Sequence, residues 1–138
     1  MNVIRIIVAL VIGALVGGVV NMGLVLLGAA IIPAPDGVDV NDPDSIAAAM
    51  HLFEPKHFVF PLLAHAGGTL AGAVAGHIIA GRYRNQIAFT VGALFFVGGI
   101  AAAAMIPAPV WFVAADLVFS YFPMAFVATK IGFRLRSV

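Results

Sequence analysis

Not one of the 138 residues is cysteine, which excludes a disulfide framework, a thiolate-ligated metal or cluster, and dithiol redox chemistry. Charge is nearly as scarce. Aspartate, glutamate, lysine and arginine make up 9% of the chain, against roughly 25% in a soluble domain. So few charges, with a net charge of +1, leave no partner role for nucleic acid. Alternating ten-residue strands are missing as well, and with them a membrane β-barrel. What fills the chain is hydrocarbon: 63% of residues are hydrophobic, in continuous runs over residues 3–32, 58–80, 87–106 and 110–129. Each reaches the roughly 20 residues that a bilayer span requires, and a helix is what satisfies the backbone of such a run in lipid.

The expected fold is therefore all-α: a four-helix transmembrane bundle forming a single integral membrane domain over residues 1–138. The first run, at about 30 residues or roughly 45 Å, exceeds a hydrocarbon core near 30 Å and must tilt or protrude. It is also far longer than the apolar core of a secretory signal, and no small-x-small cleavage site precedes the loop that follows it. Basic residues set the orientation. Arg5 precedes the first run, Arg82 and Arg84 lie between the second and third, and Lys130, Arg134 and Arg136 follow the fourth, leaving Lys56 alone on the other side. The positive-inside rule then puts both termini in the cytoplasm of a bacterial inner membrane.

The sizeable polar segment is the outer loop at residues 33–57. Pro35-Asp36-Gly37 is turn chemistry, and Asp42-Pro43 reads as an N-cap with proline in the first helical position. A short amphipathic helix over residues 45–53 is expected to lie on the outer surface, with Ile46, Met50 and Phe53 turned towards lipid. Asp39, Asn41, Asp42 and Asp44 do not follow the alternate-ligand, glycine and distant-glutamate spacing of a calcium loop. Their role is turn-making and capping.

Small residues mark the packing seams. Gly68, Gly72 and Gly76 recur every fourth residue in the second span, and Gly13 and Gly17 do the same in the first. Such stripes let helix backbones approach closely, within the bundle or against another subunit. Polar side chains inside the spans then stand out. His65 and Asp116 each lie seven residues in from the outer end of their span, about 10 Å deep, so the second and fourth helices bring them to one level if they adjoin. Thr69, one turn from His65, Ser120, one turn from Asp116, and Asn21, near the middle of the first span, would line the same pocket. Glu54 and His57 would stand at its outer mouth. His77, near the cytoplasmic end and about 120° around the helix from His65, reads as an interfacial, solvated histidine. Tyr121 lies about 140° from Asp116 on a continuous helix and reads as packing, while Pro123 removes a backbone hydrogen bond and kinks the fourth span.

Three functions fit a buried histidine and carboxylate. A proton-labile pair suits proton-coupled transport or ion handling. A structural pin suits a non-catalytic accessory or scaffold subunit. A metal-dependent membrane enzyme would use His65 and Asp116 with His57, a weak set because His57 and His65 are about 80° apart on a helix and make no compact pair. No cofactor is expected. Besides the bilayer itself, the expected partners are further copies of the chain or a larger membrane complex.

Two segments, HLFEPKHFVFPLLAHAGGTLAGA and PAPVWFVAADLVFSYFPMAFVATK, resemble the recurrent segments of a family of small uncharacterised bacterial membrane proteins with four spans. That resemblance covers most of the chain and implies the four-span topology, but it carries no activity. The sequence also lacks an acidic residue in its first span, as small multidrug transporters have, and the arginine-asparagine-glutamate set of membrane glutathione-dependent enzymes.

Overall fold

The computed structural model describes residues 3–137. The first apolar run forms α1, Val3–Ile31, a helix of 29 residues without a charged residue after Arg5. The polar segment holds α2, Pro43–Ala48, opened as its sequence requires: the Asp42 carboxylate accepts the Asp44 N–H at 3.0 Å and Pro43 takes the first turn, satisfying a donor that the helix start leaves free. A tighter 3-10 turn, Met50–Leu52, replaces the expected second half of that helix. After a second 3-10 turn, Pro55–Phe58, come α3, Val59–Ile79, and α4, Arg84–Met105. The fourth run divides into α5, Val110–Phe119, and α6, Phe122–Arg136. There is no strand among the described residues.

Four stretches, Val3–Ile31, Pro55–Ile79, Gly81–Met105 and Val110–Arg136, are long and apolar enough to cross a membrane. Together they make a four-helix bundle with α2 set between the first and second, as the sequence implies. Helix α3 sits at the centre, packed by α1, α4 and α6, with α5 meeting it towards the α2 end. The core is built from small side chains: Ala9, Ala73, Ala80, Ala88, Ala125 and Ala128 pack with Ile87 and Val91. In lipid the gain from such a core comes from close backbone packing, since burying apolar surface away from lipid tails provides little drive.

The expected glycine seams are the α1–α3 interface. A Cβ on Gly72 would stand 2.5 Å from the Gly13 carbonyl oxygen and 3.2 Å from Gly17 Cα, one on Gly68 would meet the Gly17 carbonyl at 2.8 Å, and one on Gly76 the Ala9 carbonyl at 3.3 Å. These stripes face inward, so they are filled by this chain and not by a second subunit. At its far end α3 is stopped by Gly81, whose φ of +68° is glycine territory. There the Arg5 Nε donates to the Ile79 carbonyl at 2.6 Å and an Arg136 guanidinium N–H to the Ile78 carbonyl at 3.2 Å. Two cations thus complete the carbonyls that a helix C-terminus leaves unpaired.

The feature that positions the site is the break between α5 and α6. Pro123 has no N–H to return to the Phe119 carbonyl, and the chain swings at Ser120 and Tyr121, with Tyr121 at φ −119° and ψ −78°. Regular bonding stops at the Ser120 N–H, which donates to the Asp116 carbonyl at 2.9 Å, and resumes with the Ala125 N–H to the Tyr121 carbonyl at 2.9 Å. The kink expected from Pro123 is a full interruption of the fourth span.

Candidate functional site

His65 on α3 and Asp116 on α5 meet. The imidazole Nδ1 lies 2.9 Å from Asp116 Oδ2. The Tyr121 hydroxyl donates to the same Oδ2 at 2.8 Å, and its oxygen is 3.1 Å from His65 Nδ1. Three side chains from three elements therefore converge within one hydrogen-bond length. Two donors on one carboxylate oxygen suit an ionised Asp116, and an acceptor-only Oδ2 places the Nδ1 proton on the imidazole. The opposite ring nitrogen, Nε2, has no partner among the described residues.

Tyr121 corrects its expected role as packing. An unbroken helix would carry it about 140° from Asp116, whereas the turn at Ser120 and Tyr121 brings its hydroxyl back over the carboxylate. The sequence signal was Pro123, whose missing N–H frees the residues before it from helical geometry. Gly99 on α4 makes room for the ring: a Cβ there would collide with the Tyr121 hydroxyl oxygen. Tyr121 is 1% exposed and packs edge-on to Phe96 at 5.7 Å.

Above the triad lies a cavity of about 360 Å³, within the roughly 300–1,000 Å³ typical of small-molecule sites. Its walls are apolar: Val25 and Ala29 of α1, Phe60 of α3, Ala102 of α4, and Phe112 of α5. Ile46, Met50 and Phe53 form its roof, so the stripe expected to face the bilayer covers the cavity instead. His65 and Asp116 lie at the floor and His57 at the side of the roof. Asp116 is 4% exposed and its second oxygen, Oδ1, is buried without a donor.

The other expected site residues divide. His57 borders the cavity, held by its Nδ1, which accepts the Glu54 N–H at 2.8 Å. Glu54 does not border it; its exposed carboxylate faces Lys56 at 3.3 Å, a surface pair that adds little stability. Thr69 is fully buried beneath His65, and its hydroxyl donates to the His65 carbonyl at 2.8 Å, so it braces the helix and does not reach the cavity. Ser120 is fully buried with an unpartnered Oγ, also outside the cavity lining. Asn21 packs its Cβ against Gly68 in the α1–α3 seam, away from the floor. No group of three histidine, aspartate or glutamate side chains able to hold a metal ion occurs among the described residues.

His77 is not the solvated histidine expected from its depth. It is fully buried, with Nε2 3.1 Å from Asn85 Oδ1, its ring edge-on to Phe133 at 5.2 Å and pressed against Gly132. The reason is α6, which runs on to Arg136 and covers that face of α3. Along the helices between it and the triad, Ala73 of α3 and Ala125 and Ala128 of α6 are fully buried.

No known family, curated protein or solved structure matches the chain.

Proposed function

We propose that this chain is a multi-pass protein of a bacterial inner membrane, both termini cytoplasmic, that couples movement of a solute to a proton held by His65, Asp116 and Tyr121. The observation that carries this reading is the double donation to Asp116 Oδ2 at the floor of an apolar cavity. A carboxylate at the centre of a span costs roughly 2.5–3.5 kcal/mol on the insertion scale, and its partners decide what it can do. His65 keeps its Nδ1 proton on Asp116 and has Nε2 left to take or release a second one, so the pair changes charge without losing its hydrogen bond. The orientation rests on the six arginine and lysine residues that cluster away from α2, namely Arg5, Arg82, Arg84, Lys130, Arg134 and Arg136.

The rival readings have less support. A scaffold rests on His65 and Asp116 as a structural pin, and the glycine stripes that could have met another subunit are occupied by α1 and α3 themselves. A metal-dependent enzyme has no three-ligand set among the described residues. The test is purified protein in vesicles with a pH-sensitive dye trapped inside. Under an imposed pH gradient, addition of a transported solute should shift the internal pH, and Asp116→Asn should abolish the shift while the protein remains folded. A wild-type protein that moves no protons in response to cationic, neutral or anionic solutes would end this reading.

A further inference from the structure

We propose that the solute is a lipophilic cation and that it enters the cavity in exchange for one proton from His65. This rests on the proton-exchange reading above and adds the class of ligand to it.

Charge balance in a buried site selects the class. With Asp116 ionised and His65 doubly protonated the floor is neutral. When a cation enters, the Nε2 proton leaves to water, the Nδ1–H stays on Asp116 Oδ2 at 2.9 Å, and the carboxylate becomes the counter-charge of the ligand. The site is neutral before and after, which is what a low-dielectric pocket demands. An anion has no such route. It would leave the floor one charge negative unless Asp116 took up a proton, and the oxygen free to take one, Oδ1, is buried away from water, whereas the His65 side chain is 25% exposed at the cavity floor. A neutral ligand would fit but would exchange no proton.

Two further observations point the same way. The segment around the cavity mouth carries Asp36, Asp39, Asp42, Asp44 and Glu54 against Lys56 alone, a negative field that concentrates cations near the roof. The walls are aliphatic and aromatic, suited to a charge wrapped in hydrocarbon. Helix α1 meets α4 through Gly13 against Val91 and Gly17 against Phe95, whereas nearer α2 both helices border the cavity, where Val25 and Ile106 are 40% and 49% exposed.

The titratable groups facing His65 are few. Helix α5 supplies Asp116 and the break supplies Tyr121; the turn before α3 supplies His57; the parts of α1, α4 and the roof that border the cavity supply none.

The experiment uses tetraphenylphosphonium and its isosteric anion tetraphenylborate, binding the full chain in lipid nanodiscs, with proton release read in weakly buffered solution. Expected are about one proton released per phosphonium bound, an affinity that falls tenfold for each pH unit of acidification over the range in which that proton is released, and loss of this binding in Asp116→Asn. In His65→Gln the phosphonium should still bind, with no proton released and no pH slope. The wild-type slope and stoichiometry stand by themselves should either variant fail to fold. Borate binding with proton uptake, and no phosphonium binding, would overturn the cation class and leave proton coupling standing. Phosphonium binding without proton release would overturn both. Binding of neither ion would overturn the cation class.

Discussion

Replacing Gly72 by alanine tests whether α1 is held by backbone contact with α3. The new Cβ would lie 2.5 Å from the Gly13 carbonyl oxygen and 3.2 Å from Gly17 Cα, against an ordinary carbon contact of about 3.5–4.0 Å. Both obstacles are backbone, so no rotamer relieves them and the helices must part by about 1 Å. Overpacking of this kind costs roughly 1–3 kcal/mol. A radial gap of about 0.5–1 Å also forfeits a quarter to a half of the dispersion well of each neighbouring contact. A loss near 2 kcal/mol, roughly thirtyfold in the folding equilibrium, is expected. Gly18 and Gly23 on α1 provide the control, because a Cβ at either meets nothing within 4 Å and alanine there should leave stability unchanged or raise it by up to about 1 kcal/mol. The assay is reversible unfolding in mixed micelles of a mild detergent and dodecyl sulfate, comparing Gly72→Ala with Gly18→Ala. Equal midpoints for the two would show that the seam does not hold α1.

Three other substitutions probe the site and the opposite end. Tyr121→Phe removes one hydrogen bond to a carboxylate and should lower stability by about 1.5–3 kcal/mol, slowing proton exchange without abolishing it, as read by unfolding and by the vesicle assay. Gly99→Ala places a methyl group where the Tyr121 hydroxyl sits, so it should reproduce Tyr121→Phe. The double variant should be no worse than the more severe single one, whereas additive losses would show that Gly99 acts on something other than Tyr121. Gly132→Ala collides with the His77 ring and should destabilise by roughly 1–3 kcal/mol. Truncating the ring in a Gly132→Ala, His77→Ala pair should recover part of that loss, and a pair with purely additive unfolding energies would contradict the packing described.

Much of this was legible because bilayer physics writes in long, simple signals. Runs of about 20 apolar residues announce spans, and glycines four apart announce close helix contact; Gly72 against Gly13 is that contact. The pairing of His65 with Asp116 followed from counting equal depth along two helices. Tyr121 escaped because helical-wheel angles assume an unbroken helix, and two residues of irregular backbone before Pro123 turn the ring back. His77 escaped because depth along one helix says nothing about what covers it, and α6 extends seven residues past the expected end at 129. The stripe of Ile46, Met50 and Phe53 was identified as apolar, but amphipathicity cannot tell lipid from a cavity roof.

A purely structural ion pair would be built differently from the one in this chain. Pairing two charges inside a membrane protein stabilises the fold best when every lone pair and proton of the pair has a partner, since each unmatched atom keeps its desolvation penalty. Asp116 meets that condition on one oxygen only: Oδ2 receives His65 and Tyr121, while Oδ1 is buried with no donor. His65 meets it on one nitrogen only, and its side chain is left 25% exposed at the floor of the cavity. The Ser120 hydroxyl, one turn from Asp116, is buried close to the carboxylate but outside hydrogen-bond geometry. What is favoured is a pair held firmly on one side and left unfinished on the other, the arrangement a site requires if its charge is to be completed by a proton at one moment and by a ligand at the next.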